Sequence, residues 1–213
     1  MEKNILLERI KEAKEKSKKR NFVQSWDISI NLKNLNLKKP ENRFSYEFTL
    51  PNGRGKETKT VVFADTLAAE AKKTADLVIL KKEIDDLIRD KKRLKKIVND
   101  YDWFFGEAPL MPTIAKSFGA VLGPRGKIPK PIPPKAKVEP FVKMTKKMVR
   151  VTLKETPVIH IAVGTEKMSD EEVAANIDAV INSVKERLPK GVNNIKSAHL
   201  KLTMGKPVRL ILK

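Results

Sequence analysis

Thr203, Met204, Gly205 and Lys206 stand together inside the stretch Ser197–Ile211, between two short runs of alternating apolar residues. A hydroxyl, an unhindered backbone and an ammonium placed side by side suit close approach to a phosphate–sugar chain and its hydroxyls. Leu200, Leu202 and Met204 alternate with His199, Lys201 and Thr203, a period of two that predicts a half-buried strand. Gly205-Lys206-Pro207 breaks it, and Val208-Arg209-Leu210-Ile211 resumes as a second strand. Glycine permits a left-handed backbone, and proline carries no N–H for a ladder. The expected product is a tight basic turn at a sheet edge. On local chemistry alone an ordinary hairpin with a positive tip is the better reading.

Other reactive groups do not converge. His160 and His199 each fall inside a predicted strand, where a packed or edge histidine is the ordinary reading. There is no H-E-x-x-H, no Cys/His cluster and no G-x-S-x-G. Gly55-Lys56 and Gly126-Lys127 have the end of a phosphate loop. However, the required upstream glycine is Leu50 in one and Val121 in the other, and no Ser or Thr follows the lysine. Asp27, Glu47, Asp100 and Asp102 cannot be paired by spacing. No catalytic residue, metal ligand or cofactor is expected.

Net charge points to the partner instead. The 213 residues carry 45 Lys and Arg against 26 Asp and Glu, a formal charge of +19. Such an excess repels itself in the folded state, and a polyanion is the usual reason for it, since each neutralised phosphate releases counterions. With 40% hydrophobic residues a core can form. No apolar run near membrane length, secretory signal or lipidation motif is present, so a membrane partner is not expected. The absence of cysteine excludes a disulfide scaffold and fits a reducing, cytoplasmic setting.

The elements that must position the turn come from both ends of the chain. Glu2–Arg20 reads as an amphipathic helix with Ile5, Leu6, Ile10 and Ala13 on its stripe and Lys16, Lys18, Lys19 and Arg20 at its end. Phe22–Ile30 follows as a strand with Trp26, Ile28 and Ile30 on one face, leaving Phe22, Gln24 and Asp27 largely elsewhere, near the basic run. Asn31–Pro40 reads as a basic loop and Arg43–Leu50 as a second strand. Pro51–Lys56 is a breaker cluster. After it the pattern changes to strands alternating with helices: Thr60–Ala64, a helix capped by Asp65 or Thr66, Leu77–Leu80, helices around Ile84–Val98, then Asp102–Gly106. That alternation predicts a small parallel sheet with helices on both faces. Gly119–Pro134 reads as a long Gly/Pro-rich basic loop, Phe141–Lys147 as a helix and Met148–Leu153 as a strand.

From Val158 the first pattern returns. Val158–Val163 is a strand, Ser169 and Glu172 form a capping box, and Val173, Ile177, Val180, Ile181, Val184 and Leu188 make one helical stripe. Neither end alone supplies a good core. The expectation is therefore two domains: a discontinuous α+β sandwich from residues 1–56 plus 156–213, and an inserted three-layer, Rossmann-like α/β domain over residues 57–155. Crossings near Gly53, Gly55, Thr156 and Pro157 would act as a hinge.

With these residues in place the chain resembles the family of large-subunit ribosomal protein number one, the stalk protein, in its archaeal branch. Three stretches carry the likeness: Leu122–Pro131, Thr203-Met204-Gly205 with Ser197 upstream, and Phe22 opening a strand after the first helix, followed by Leu50–Lys56. The resemblance implies RNA contacts at Phe22, Ser25, Asp27, Ser197, Thr203, Met204 and Gly205, with Arg20 and Lys206 adding charge beside them. The family often has lysine just before the phenylalanine, where this chain has Asn21 after Arg20. It further implies binding to large-subunit ribosomal RNA at a mobile stalk beside the exit site, a part in release of deacylated transfer RNA, repression through its own messenger RNA, a cytoplasmic place on the ribosome, and a monomer off it. Two other readings share the charge. A general nucleic-acid-binding protein would also take duplex DNA, and an enzyme using the inserted domain as a nucleotide site would be stabilised by nucleotide.

Overall fold

The computed structural model describes residues 3–134 and 136–211; Glu2, the expected first helical residue, lies outside them. In chain order the elements are α1 (Lys3–Glu15), β1 (Ser25–Leu32), β2 (Phe44–Thr49), β3 (Thr60–Ala64), α2 (Ala68–Thr74), β4 (Leu77–Leu80), α3 (Lys81–Arg89), α4 (Lys91–Asp100) and β5 (Trp103–Glu107). They continue as α5 (Met111–Leu122), β6 (Lys130–Ile132), α6 (Val138–Thr145), β7 (Met148–Leu153), β8 (Val158–Thr165), α7 (Asp170–Arg187), β9 (Ile195–Leu202) and β10 (Val208–Leu210). The fold is mixed α/β, with one antiparallel four-stranded sheet, one parallel four-stranded sheet and a two-stranded pair. The chain divides into two compact units: residues up to Lys56 with those from Lys147 onward, and Glu57–Lys146.

In the first unit the sheet runs β10-β9-β1-β8, all antiparallel. Alternation decides its two faces. Trp26, Ile28, Ile30, Leu200, Leu202, Ile159 and Ile161 turn inward and are buried. α1 and α7 cover that face through Leu6, Ile10, Ala13, Val173, Ile177, Val180 and Val184. The capping box at α7 is formed: Glu172 N–H donates to Ser169 Oγ at 3.2 Å, and Ser169 N–H donates to Glu172 Oε2 at 3.0 Å. α1 ends at Glu15 rather than Arg20. The Ser17 N–H tightens the last turn onto Lys14 O, and the basic run leaves the helix there.

The second crossing between units lies at Lys146–Lys147, not after Glu155. β7 pairs with β2 from Phe44↔Leu153 to Thr49↔Met148. Its buried residues Val149, Val151 and Leu153 feed the first unit's core. Strand pairing across a hundred residues leaves no local trace, so the sequence reading gave this strand to the wrong unit. Thr156 and Pro157 consequently join two strands of one unit, with Pro157 O accepting from Leu32 N–H at 2.8 Å.

The second unit carries a parallel sheet, β4-β3-β5-β6. Val61, Phe63 and Phe104 face a cluster with Ile84, Leu87, Leu94, Val98, Ile114 and Phe118 from α3, α4 and α5. Val62 and Phe105 point the other way, where Phe141 of α6 meets the Phe105 ring edge-on at 6.4 Å. Helices on both faces make three layers. The expected long loop Gly119–Pro134 is shorter than its composition suggested. α5 runs on to Leu122, and β6 joins the sheet beside β5 in spite of its proline. Edge position tolerates that proline. Between them Gly126 takes φ 65°, and the Lys127 ammonium donates to Val98 O and Tyr101 O at 2.7 and 2.6 Å, capping α4. The Gly126-Lys127 pair is thus a structural clip.

Neither Asp65 nor Thr66 caps α2. The Glu107 carboxylate, only 2% exposed, accepts from the N–H groups of Asp65, Thr66 and Leu67 at 2.8, 3.3 and 2.6 Å and from the Thr66 hydroxyl at 3.1 Å. Burial works to raise its pKa, but these donors outweigh burial and hold it below the ordinary carboxylate value. Its stabilising contribution is therefore present above the unfolded pKa and lost as pH falls through the folded one. Glu107→Gln is expected to cost about 2–3 kcal/mol near neutral pH, since an amide NH2 would face backbone donors. The difference from wild type should shrink in acid; a thermal-unfolding series against pH that shows a constant difference would refute this.

Candidate nucleic-acid interface

The turn after β9 is tied to the start of β1 by four hydrogen bonds. Thr203 N–H donates to Ser25 O at 3.0 Å, Ser25 N–H donates to Thr203 Oγ1 at 3.0 Å, and the Thr203 hydroxyl donates back to Ser25 O at 3.3 Å. Met204 N–H donates to Gln24 Oε1 at 3.2 Å. Gln24 itself is 1% exposed and its amide also reaches Lys18 O at 3.4 Å and Glu166 Oε2 at 3.5 Å. It shares the buried face with Trp26, against the expectation that it would lie off that face. Parity along an extended chain puts Gln24 with Trp26, although β1 begins at Ser25 rather than at the expected Phe22. One buried amide thus fastens the basic run, the β8–α7 loop and the Met204 turn to each other.

Gly205 does not use a left-handed backbone. Its role is close approach. A Cβ there would sit 3.1 Å from Ser17 Oγ and 3.2 Å from Ser17 Cβ. The turn therefore rests directly on the chain leaving α1, which carries Lys18, Lys19 and Arg20, all exposed.

On this corner the structure gathers Arg20, Phe22, Ser25, Thr203, Met204, Gly205 and Lys206. Phe22 is 50% exposed, Val23 43% and Met204 58%, three of the eight large hydrophobics exposed among the described residues. Asp27 lies next along β1, opposite Lys201 of β9. Burial pushes its carboxyl above the ordinary range, against the pull of Lys201, Arg54 and His160. Ser197 stands at the far end of β9, six residues from Thr203 and so roughly 20 Å away. It accepts from Asn31 Nδ2 at 2.9 Å. It belongs to the same sheet face but not to the corner.

That outward face links the two positions. Ser25, Asp27, Ser29 and Asn31 of β1, Ser197, His199 and Lys201 of β9, His160 of β8 and Arg209 of β10 all turn away from the core and are partly or fully exposed. Both histidines register with Ser29, one from each side. They are outward-facing sheet residues, and no group of three or more metal-ligating side chains occurs among the described residues. Sequence reading singled out the corner residues but missed Gln24, Ser17 and Glu166. The signal available for Gln24 was its parity with Trp26; for the other two, which become neighbours only through folding, there was none.

Chemically the corner offers exposed apolar and aromatic surface for unstacked bases or sugars, a tight glycine turn for close approach, and cations for phosphate. In the second unit, where doubly wound folds place nucleotide phosphates, Glu107 already holds the donors. No helix is long and apolar enough to cross a membrane among the described residues.

The comparisons with known proteins agree with this chemistry. The profile described as the ribosomal protein L1p/L10e family matches residues 13–206. The large ribosomal subunit protein uL1 of Methanothermococcus thermolithotrophicus is 46% identical over 211 residues, 99% of each chain. The protein of that name from Methanothermobacter thermautotrophicus is 47% identical over 208 residues, covering 97% of this chain and 98% of its own. That from Pyrococcus horikoshii is 47% identical over 207 residues, covering 96% and 94%. A match of this extent, carrying a pinned basic turn with exposed Phe22 and Met204 beside it, means that the chain belongs to the ribosomal protein L1p/L10e family.

Proposed function

We propose that the protein is a structural constituent of the large ribosomal subunit, acts in the cytoplasm on the ribosome, and binds ribosomal RNA at the mobile stalk beside the exit site through the Phe22–Thr203 corner of its first unit. The observation that carries this is the exposure of Phe22, Val23 and Met204 around a turn held rigid by Gln24 and Thr203. Apolar side chains exposed beside a basic run suit an interaction surface. The same surface would take a similar RNA shape in its own messenger, which makes the protein a repressor of its own translation. The second unit, reached through Gly53 and Gly55 with φ of 70° and 65°, would move with the stalk and assist release of deacylated transfer RNA. The partner crossing lies at Lys146–Lys147 rather than at Thr156 and Pro157. Off the ribosome the protein is expected to be a monomer.

The experiment compares binding to a fragment of the stalk region of large-subunit ribosomal RNA, to its own messenger leader, to transfer RNA and to random RNA over a salt series. A specific-to-random ratio of roughly a thousandfold or more is expected for the ribosomal fragment. A ratio near one would leave a general nucleic-acid-binding protein.

A further inference from the structure

α4 breaks a local rule. Helix dipoles favour acids in the first turn and bases in the last. α7 follows that rule, with Asp170, Glu171 and Glu172 at its start and Lys185 and Arg187 at its end. α4 opens on Lys91, Lys92 and Arg93, has no acid in its first turn and no base in its last. Lys95 and Lys96 follow, so five of its ten residues are cations. At 3.6 residues per turn these five fill about 200° of the helix circumference, and Leu94, Ile97 and Val98 fill the remaining arc toward the sheet. All five are exposed, and none makes an ion pair among the described residues. The neighbouring Asp90 caps the helix, its Oδ1 accepting from the Lys92 and Arg93 N–H groups at 3.1 and 3.0 Å, and brings one negative charge against these five positive ones. Asp100 is the one acid on the outer arc, at the opposite end of the helix.

Repulsion among these cations and with the helix dipole costs stability, and the single Asp90 carboxylate at the N-cap offsets only part of it. A feature that violates local preference with only partial local compensation points outward. Its chemistry is that of a phosphate row: four ammonium groups and one guanidinium on a straight element, with no aromatic among them to stack on a base.

We propose that the outer face of α4 is a second RNA contact, which grips backbone phosphates without reading sequence and belongs to the inserted unit alone. It does not require the ribosomal assignment of the first unit. The test neutralises all five residues at once, Lys91→Gln, Lys92→Gln, Arg93→Gln, Lys95→Gln and Lys96→Gln, in the full chain. A control variant removes five other exposed cations of the same unit, Lys72→Gln, Lys73→Gln, Lys116→Gln, Lys143→Gln and Lys146→Gln. Both carry the same net charge, and thermal unfolding checks that both are folded. If about three phosphates are gripped, the slope of log K against log salt on random RNA should fall by roughly 2–3 for the α4 variant, with roughly tenfold or greater loss of affinity at low salt. The control should change far less. The specific-to-random ratio for the ribosomal fragment should not fall, because the corner is untouched; a collapse of that ratio in wild type would discredit the first-unit reading and leave this one standing. Equal losses in the two variants would show mere net charge and overturn the proposal, as would an α4 variant with an unchanged slope.

Discussion

Thr203→Val is expected to weaken binding to the ribosomal RNA fragment about five- to thirty-fold while leaving random RNA and the salt slope unchanged. The Thr203 hydroxyl is not free for RNA, since it accepts from Ser25 N–H and donates to Ser25 O. Its loss therefore acts through position. Removing this clamp forfeits about 1–2 kcal/mol of preorganisation, which converts to that range of affinity. The Met204 and Gly205 turn then keeps the backbone link to Ser25, the Gly205 N–H bond to Leu202 O and the Gln24 contact, but loses both hydroxyl bonds across to β1. No cation is removed, so counterion release is the same. Thr203→Ser retains the hydroxyl and should bind nearly as wild type. Fluorescence anisotropy on both RNAs decides the matter. An equal loss on random RNA, or a serine variant as weak as the valine, would contradict the positioning role.

Thr203 also shows what a sequence can and cannot reveal. Its neighbours in the chain announce a basic turn at a sheet edge, and the turn is there. The hydroxyl was read as facing the ligand because nothing local says that Ser25, 178 residues earlier, would occupy it. Gly205 is similar: its need for a small residue was legible, but the cause is Ser17 rather than a left-handed backbone. Elements set by period were legible in kind, though not always in their ends: α1 stops at Glu15 rather than Arg20, and the helix expected over Phe141–Lys147 is Val138–Thr145. The α7 stripe with its Ser169 cap, the alternation in β1 and β9, and the β/α alternation of the second unit depend on residues within one or two turns of each other. What escaped was pairing. β7 reads as a strand anywhere, and only its β2 partner assigns it to the first unit. Composition misled in the Gly119–Pro134 stretch, where a capping lysine and a three-residue edge strand were hidden among prolines. Glu107 was likewise an unremarked acid at a strand end until the fold brought three N–H groups to it.

The largest loss of stability is expected at another residue of this kind. Asn176 is fully buried in α7; its Nδ2 donates to Gly53 O and Val163 O, both at 2.8 Å, and its Oδ1 accepts from Asn52 N–H at 3.1 Å. One amide thereby anchors the turn that leaves the first unit to both α7 and β8. Asn176→Asp keeps the shape but replaces a two-proton donor by a carboxylate oxygen facing two carbonyls. An uncompensated buried charge of this sort costs about 3–5 kcal/mol. The group escapes part of that cost by holding its proton, so its folded pKa lies above the unfolded value near 3.9. The sign follows: below the unfolded pKa both states are protonated and only one lost hydrogen bond remains, about 1–2 kcal/mol. As pH rises above that point the deficit grows, by at most about 1.4 kcal/mol per pH unit, until the folded group ionises. Urea unfolding at pH 4 and pH 7 should therefore show a much larger deficit at neutral pH. Asn176→Ala, which cannot titrate, should lose stability equally at both. If the aspartate variant also lost equally at both, the two carbonyls would not be what Asn176 is there to satisfy.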